Sequence, residues 1–230
     1  MATPTRMQKY LYKANAIALR GRIHKPYFQD LGEHLPAMTY AGSSCRLEFR
    51  SEGFKIGQEL QYDAARTEIV AGEQDGTYTT MVTSQVFGLQ VGTRLTVEEV
   101  TCRLQSVYDS RDYPERCYPR ISPAGSIIRN LRIDGQEHPL AFPRAFGAGQ
   151  SVYDRAAGDA GGIEGPGFYP DPIYVPDFGT IYYAEWSWVH PGEHHQQQLT
   201  MLRLALGSGL GAGVCAGIGG SDGAGWPPGN

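Results

Sequence analysis

The densest group of chemistry-bearing side chains is the segment HPGEHHQQQ, which places His190, Glu193, His194 and His195 within one short stretch. Imidazole nitrogens and a carboxylate are ligand types that zinc takes. His190 and His194 are four apart, a spacing that brings two imidazoles together on a helix. Pro191 and Gly192 stand between them and bar a helix there. A turn would have to gather these ligands, and a polar hairpin tip in water is the plainer expectation. A second set of oxygen ligands, Asp154, Asp159, Glu164, Asp171 and Asp177, lies among glycines, as in flexible calcium cages. Their spacing fits neither an EF-hand nor a nonapeptide repeat, so solvated turn residues are expected.

Trp186 and Trp188 are two apart and, on a regular strand, would share a face with Tyr182. With Tyr169 and Tyr174 from the preceding loop they would form an aromatic platform that stacks on sugars or bases. Core is the favoured expectation, because tryptophan is buried on average. No GxSxG nucleophile motif is present. The glycine-dense stretch 207–213 lacks the Gly-Lys-Ser/Thr ending of a phosphate loop. No cofactor is expected, and the balance leans away from an enzyme.

Composition narrows the partners. The 230 residues are 41% hydrophobic and 19% charged, enough apolar material for a sizeable core. A net charge of −4 argues against a nucleic-acid partner. Charge is uneven: residues 1–25 carry Arg6, Lys9, Lys13, Arg20, Arg22 and Lys25 with no acid, whereas acids dominate residues 142–230. No apolar run is long enough to span a bilayer. The N-terminus shows no secretory leader, so a cytoplasmic setting is expected unless a leader has been removed. Cys45, Cys102, Cys117 and Cys215 form no CxxC pair and are expected to be free thiols.

The positioning elements announce themselves by period-two alternation. Residues 10–23 alternate imperfectly, from residue 15 on. Tyr78, Thr80, Val82, Ser84 and Val86 share one strand face. Val100, Cys102 and Leu104 share another, with Glu99, Thr101 and Arg103 opposite. Ile127, Leu131 and Ile133 lead into Asp134–Gly135, a dipeptide favoured in tight hairpins. Residues 181–189 and 199–206 read as a further hairpin. No amphipathic helix of useful length appears, and 30 glycines and 15 prolines punctuate the chain. Two stretches break the rhythm: a Gly/Pro/aromatic loop over 142–180 and a glycine-rich tail over 207–230.

The strand GLQVGTRLTVEEVTCRL, the segment GSIIRNLRIDG and the final pair ending LTMLRLALG resemble a broad group of uncharacterised bacterial all-β proteins of the choice-of-anchor type. That resemblance implies a β-sandwich with an extracellular or structural life, and it carries no catalytic residues.

Together these readings give a single all-β domain over 1–230, an antiparallel β-sandwich, with an irregular β-barrel or β-roll as the alternative. The expected function is a non-enzymatic structural or interaction module that self-associates into a homo-oligomer. Sheet edges, the basic N-terminal strand (Arg6, Lys9, Lys13, Arg20, Arg22) and the tail with Trp226 would carry the assembly. A carbohydrate-binding sandwich using Trp186, Trp188, Tyr182, Tyr169 and Tyr174 is the alternative. A small metal-assisted enzyme at His190, Glu193, His194 and His195 is the third reading.

Overall fold

The structure, a computed structural model, describes residues 12–23, 29–30, 37–42, 44–112, 119–142, 170–189, 196–207 and 210–219. Residues 22–23, 29–30, 37–42, 187–189, 196 and 210–219, with Lys13 and Asp112, are described by backbone alone. The described residues form fifteen strands: β1 (Tyr12–Ile23), β2 (Gln29–Asp30), β3 (Ala37–Gly42), β4 (Cys45–Ile56), β5 (Leu60–Gln74), β6 (Thr77–Val91), β7 (Leu95–Asp109), β8 (Arg120–Ser122), β9 (Ile127–Arg129), β10 (Arg132–Ile133), β11 (Gln136–Glu137), β12 (Ile173–Val175), β13 (Gly179–Val189), β14 (Gln196–Leu206) and β15 (Leu210–Gly219). They build two open antiparallel sheets. One has seven strands, in the order β12-β13-β14-β15-β1, with β2 and β3 both paired along the far side of β1. The other has eight, in the order β11-β10-β7-β6-β5-β4, with β8 and β9 also on β7. The fold is an all-β sandwich.

Turn chemistry sets the registers. Asp75 and Gly76 (φ 51° and 79°) close the β5–β6 hairpin, and Asp134 and Gly135 (φ 52° and 77°) close β10–β11. Both pairs have positive φ at both central residues, which the right-handed twist of the flanking strands favours.

Each sheet reverses its buried face along one transverse line. On β5 the buried positions run Leu60 and Tyr62, then Ala65, Thr67 and Ile69; β6 and β7 change parity at the same level. The ladders are interrupted there, where Gly53, Asp63, Gly88 and Glu98 lie opposite one another in a row. Gly53 and Gly88 take φ of 56° and 63°. In the other sheet consecutive residues are buried at Ala18–Leu19 and Met201–Leu202, where the pairings shift register, and Ala184 has φ 51° on β13.

The core lies between the sheets, with Leu19, Ile69, Leu104, Ile181 and Leu199 among its fully buried members. Stacked sheets ordinarily lie about 10 Å apart. Here Cα atoms of β1 come within 8 Å of β5 and β6, and those of β15 within 8 Å of β6 and β7. Small residues permit the approach: Ala14, Ala16 and Ala18 on β1, and the row Thr67, Ser84 and Cys102 across the other sheet.

Two expectations are corrected. Within the glycine-rich tail over 207–230, Leu210–Gly219 is a regular strand, β15, paired on both sides by β14 and β1. Its glycines bring little strand propensity. Two-sided pairing supplies what propensity lacks, and residues without side chains suit the close sheet contact. The loop over 142–180 ends early: Ile173–Val175 and the start of β13 are strand. Lys13, Arg20 and Arg22 lie on β1, which has strand partners on both sides.

Candidate functional site

The outward positions of β4 to β7 form a charged face. Glu48 on β4 sits opposite Glu68 on β5, which is opposite Thr83 on β6 and then Arg103 on β7. Like charges directly across a ladder repel, and arginines on the neighbouring rows offset this pair. Arg66 Nε is 2.8 Å from Glu48 Oε1, and its Nη2 donates to Glu68 Oε2 at 3.2 Å. Arg46 Nη2 is 2.9 Å from Glu68 Oε1, and Arg50 donates to Glu48 as well. The Arg50 hydrogen bond, aided by the charges of Arg50, Arg66 and Arg46 and opposed by desolvation, holds the Glu48 carboxyl below the usual range.

Past β6 this face deepens into a cleft of about 500 Å³, with Glu68, Gln85, Arg103 and the Gly125–Ser126 turn among its walls. Ser126 Oγ fastens the turn to β7, accepting from Arg103 N and donating to Arg103 O, each at 2.9 Å. Gly125 has φ 89°, and a Cβ there would stand 3.3 Å from Arg103 Cδ, so glycine leaves the guanidinium its room. Glu99 pairs with Arg129 at 3.2 Å and accepts from Thr101 Oγ1 at 2.7 Å, and Gln85 Nε2 donates to Thr101 Oγ1 at 3.1 Å. Arg103 differs from its neighbours. Its Nε is buried without a hydrogen-bond partner, and no carboxylate pairs with it among the described residues. Glu68 and Glu99 are two strands and four rows apart, roughly 16 Å between Cα atoms by strand geometry. Each is already tied to arginine, an arrangement unlike the closely paired carboxylates of glycoside hydrolysis.

The edge of the same sheet is the second feature. β4 spans twelve residues and, among the described residues, pairs with β5 alone. Phe49, on the inward side midway along it, is 50% exposed.

Trp186 and Tyr182 do not share a face as the spacing suggests. Trp186 is 3% exposed and part of the core, whereas Tyr182 is half-buried on the outer face. The positive φ of Ala184 between them breaks the alternation that would have put both on one face. Tyr182 instead stacks under Arg203, whose guanidinium carbon is 3.6 Å from the ring centroid and which donates twice to Glu185 at 2.7 Å. Tyr174, 72% exposed on β12, pairs with Thr180 two residues from Tyr182. The Trp188 and Lys13 side chains, and all of Tyr169, His190, Glu193, His194, His195, Arg6, Lys9 and Trp226, lie outside the described residues. Arg20 is exposed on β1, and Arg22 is described by backbone alone. Among the described residues no group of three or more His, Cys, Asp or Glu could share a metal ion.

Sequence reasoning missed both the cleft and the edge. Glu99, Thr101 and Arg103 were legible as one outward face, yet nothing local joined them to Glu68 or Ser126. For the edge, the alternation of charge in RLEFRSE was the available signal.

These features define an all-β sandwich with an ionic outer face. Residues 10–147, more than half of the chain, match the family described as Domain of unknown function (DUF8256), and the chain belongs to that family. The match runs from β1 past β11, while β13 to β15 lie beyond it and share the same core through Ile181 and Leu199. No curated protein and no solved structure matches the chain.

Proposed function

We propose that the protein is a non-enzymatic structural or interaction module that self-associates through the open edge of its eight-stranded sheet. The observation that carries the reading is β4, twelve residues long, with one strand partner among the described residues and a half-exposed phenylalanine at its middle. The other end of that sheet is the two-residue β11, and the seven-stranded sheet ends in the three-residue β12 at one side and in β2 and β3, two and six residues, at the other. A long edge offers a row of unpaired backbone donors and acceptors to another strand. The resemblance to choice-of-anchor proteins adds an extracellular or structural setting to this reading.

The test is the native mass of untagged protein by light scattering at physiological salt over a range of concentrations. Wild type is expected to be a homo-oligomer, and Phe49→Lys a monomer with an unchanged circular dichroism spectrum. A wild-type monomer at every concentration overturns the reading.

A second reading, a binding module for carbohydrate or another polar ligand, is favoured by the cleft around Arg103. A buried guanidinium nitrogen without a partner beside hydroxyls, an amide and carboxylates suits a ligand rich in hydroxyl or acidic oxygens. Calorimetry against neutral and acidic sugars is its test. Binding that disappears in Arg103→Met supports it, and silence across both classes removes it.

A further inference from the structure

We infer that two copies of the chain pair β4 to β4, antiparallel, about a two-fold axis at Phe49. This rests on the edge reading above and gives it a register. In an antiparallel pair with two-fold symmetry, a residue n places before the axis faces the copy's residue n places after it. The segment RLEFRSE, Arg46 to Glu52, is antisymmetric in charge about its central Phe49. Arg46 therefore faces Glu52 of the second copy, Glu48 faces Arg50, Leu47 faces Ser51, and Phe49 faces itself. Both ion pairs occur twice by symmetry.

Other registers are worse. A slip of two residues sets Arg46 against Arg50 or Glu48 against Glu52, and like charges directly opposite are unfavourable. A slip of four keeps half of the ion pairs and removes Phe49 from the centre. A slip of one opposes the charged outer side of one copy to the inward side of the other. The charges that repel mismatched strands thus admit one arrangement of the matching one.

In the isolated chain Arg46 and Arg50 each hold an acid of their own chain, Glu68 and Glu48, and pairing across the axis would share or exchange these partners. Arg46 and Arg50 side chains are 71% and 68% exposed, and Glu52 has no ion pair among the described residues. Phe49 sits on the inward side of the edge, where its copy would continue the core. Joining the edges turns two eight-stranded sheets into one continuous sheet.

The experiment combines charge reversal with cross-linking, read by sedimentation equilibrium at physiological salt. Glu48→Arg alone creates two Arg–Arg contacts across the axis, and Arg50→Glu alone creates two Glu–Glu contacts. Each is expected to weaken self-association roughly tenfold or more. An equimolar mixture of the two variants restores both pairs and is expected to recover the wild-type mass as a heterodimer. Phe49→Cys is expected to form an intermolecular disulfide on oxidation, because directly opposed residues lie within disulfide reach. Native Cys45, which in this register faces Gly53, is not.

Recovery in the mixture cannot come from misfolded protein, so that result stands whatever the single variants do to stability. An oligomer that ignores both reversals and gives no Phe49→Cys link overturns the register while leaving self-association intact. A wild-type monomer overturns both.

Discussion

Alanine at position 88 should be far more damaging than alanine at position 53, although both glycines sit in the same row of the sheet. Both have positive φ, 63° and 56°. A left-handed conformation costs a side-chain-bearing residue about 1–2 kcal/mol, so each substitution carries that much. At position 53 a Cβ would meet nothing within 4 Å, and strain is the whole cost. At position 88 the Cβ would stand 2.0 Å from Asp63 Oδ2, 2.4 Å from its Cγ and 3.0 Å from its Cβ. The carboxylate tip can rotate away, but the Asp63 Cβ is fixed to the backbone. Overpacking adds about 1–3 kcal/mol, which brings Gly88→Ala to roughly 2–5 kcal/mol. Asp63→Ala alone, at an exposed position, should change little. Asp63→Ala with Gly88→Ala removes the two closest atoms but keeps the Asp63 Cβ at 3.0 Å, so it should recover part of the loss and remain costlier than Gly53→Ala. Urea unfolding of the four variants and wild type at one protein concentration gives the comparison through the midpoint and slope. Equal losses for the two glycine variants, or no recovery in the double variant, would refute the steric argument.

Three further outcomes are expected. Asp109, hydrogen-bonded by the Arg111 side chain and backbone, has its carboxyl lowered to about 2; carbon-detected NMR titration should show this value rising towards the ordinary carboxylate range in Arg111→Gln. A depressed folded value means that its stabilising contribution is present above the unfolded value and is lost as pH falls towards about 2. Gln197 is buried with neither amide atom partnered among the described residues, so Gln197→Met should raise stability by about 1–2 kcal/mol, read from denaturant unfolding; a loss would mean that the amide has a partner. Cys102, fully buried with its thiol donating to the Leu199 carbonyl at 3.4 Å, should resist a thiol reagent until unfolding, while half-buried Cys45 labels in the native state, as peptide mass spectrometry would show.

Much of the eight-stranded sheet was legible because its strands bury one side and wet the other. Thr80, Val82, Ser84 and Val86 are buried as their alternation implies, and so are Val100, Cys102 and Leu104. Asp134–Gly135 closes a hairpin as its φ preference requires, and Asp75–Gly76 carried the same signal. Strand β15 was illegible because it is held by partners far away in sequence rather than by its own composition. Trp186 was misplaced beside Tyr182 because Ala184 adopts a positive φ that alanine does not advertise. The cleft joins residues from β5, β6, β7 and the turn before β9, and only register brings them together. The antisymmetry around Phe49 was present in the letters, but it acquires meaning only once β4 is known to be an edge.

The pairing of β1 with β15 also sets a schedule for biosynthesis. The first long strand cannot acquire one of its neighbours until nearly two hundred further residues have been made. At about 5–20 residues per second, that wait is of order 10–40 s. During it, the edge of β1 that β15 will pair and the inner side of β6 and β7 lack the cover that β14 and β15 will bring. A nascent chain stalled anywhere before Leu210 should therefore engage chaperones and be open to proteolysis along its whole length. The amino-terminal half becomes a finished object only when the glycine-rich strand slides in beside it.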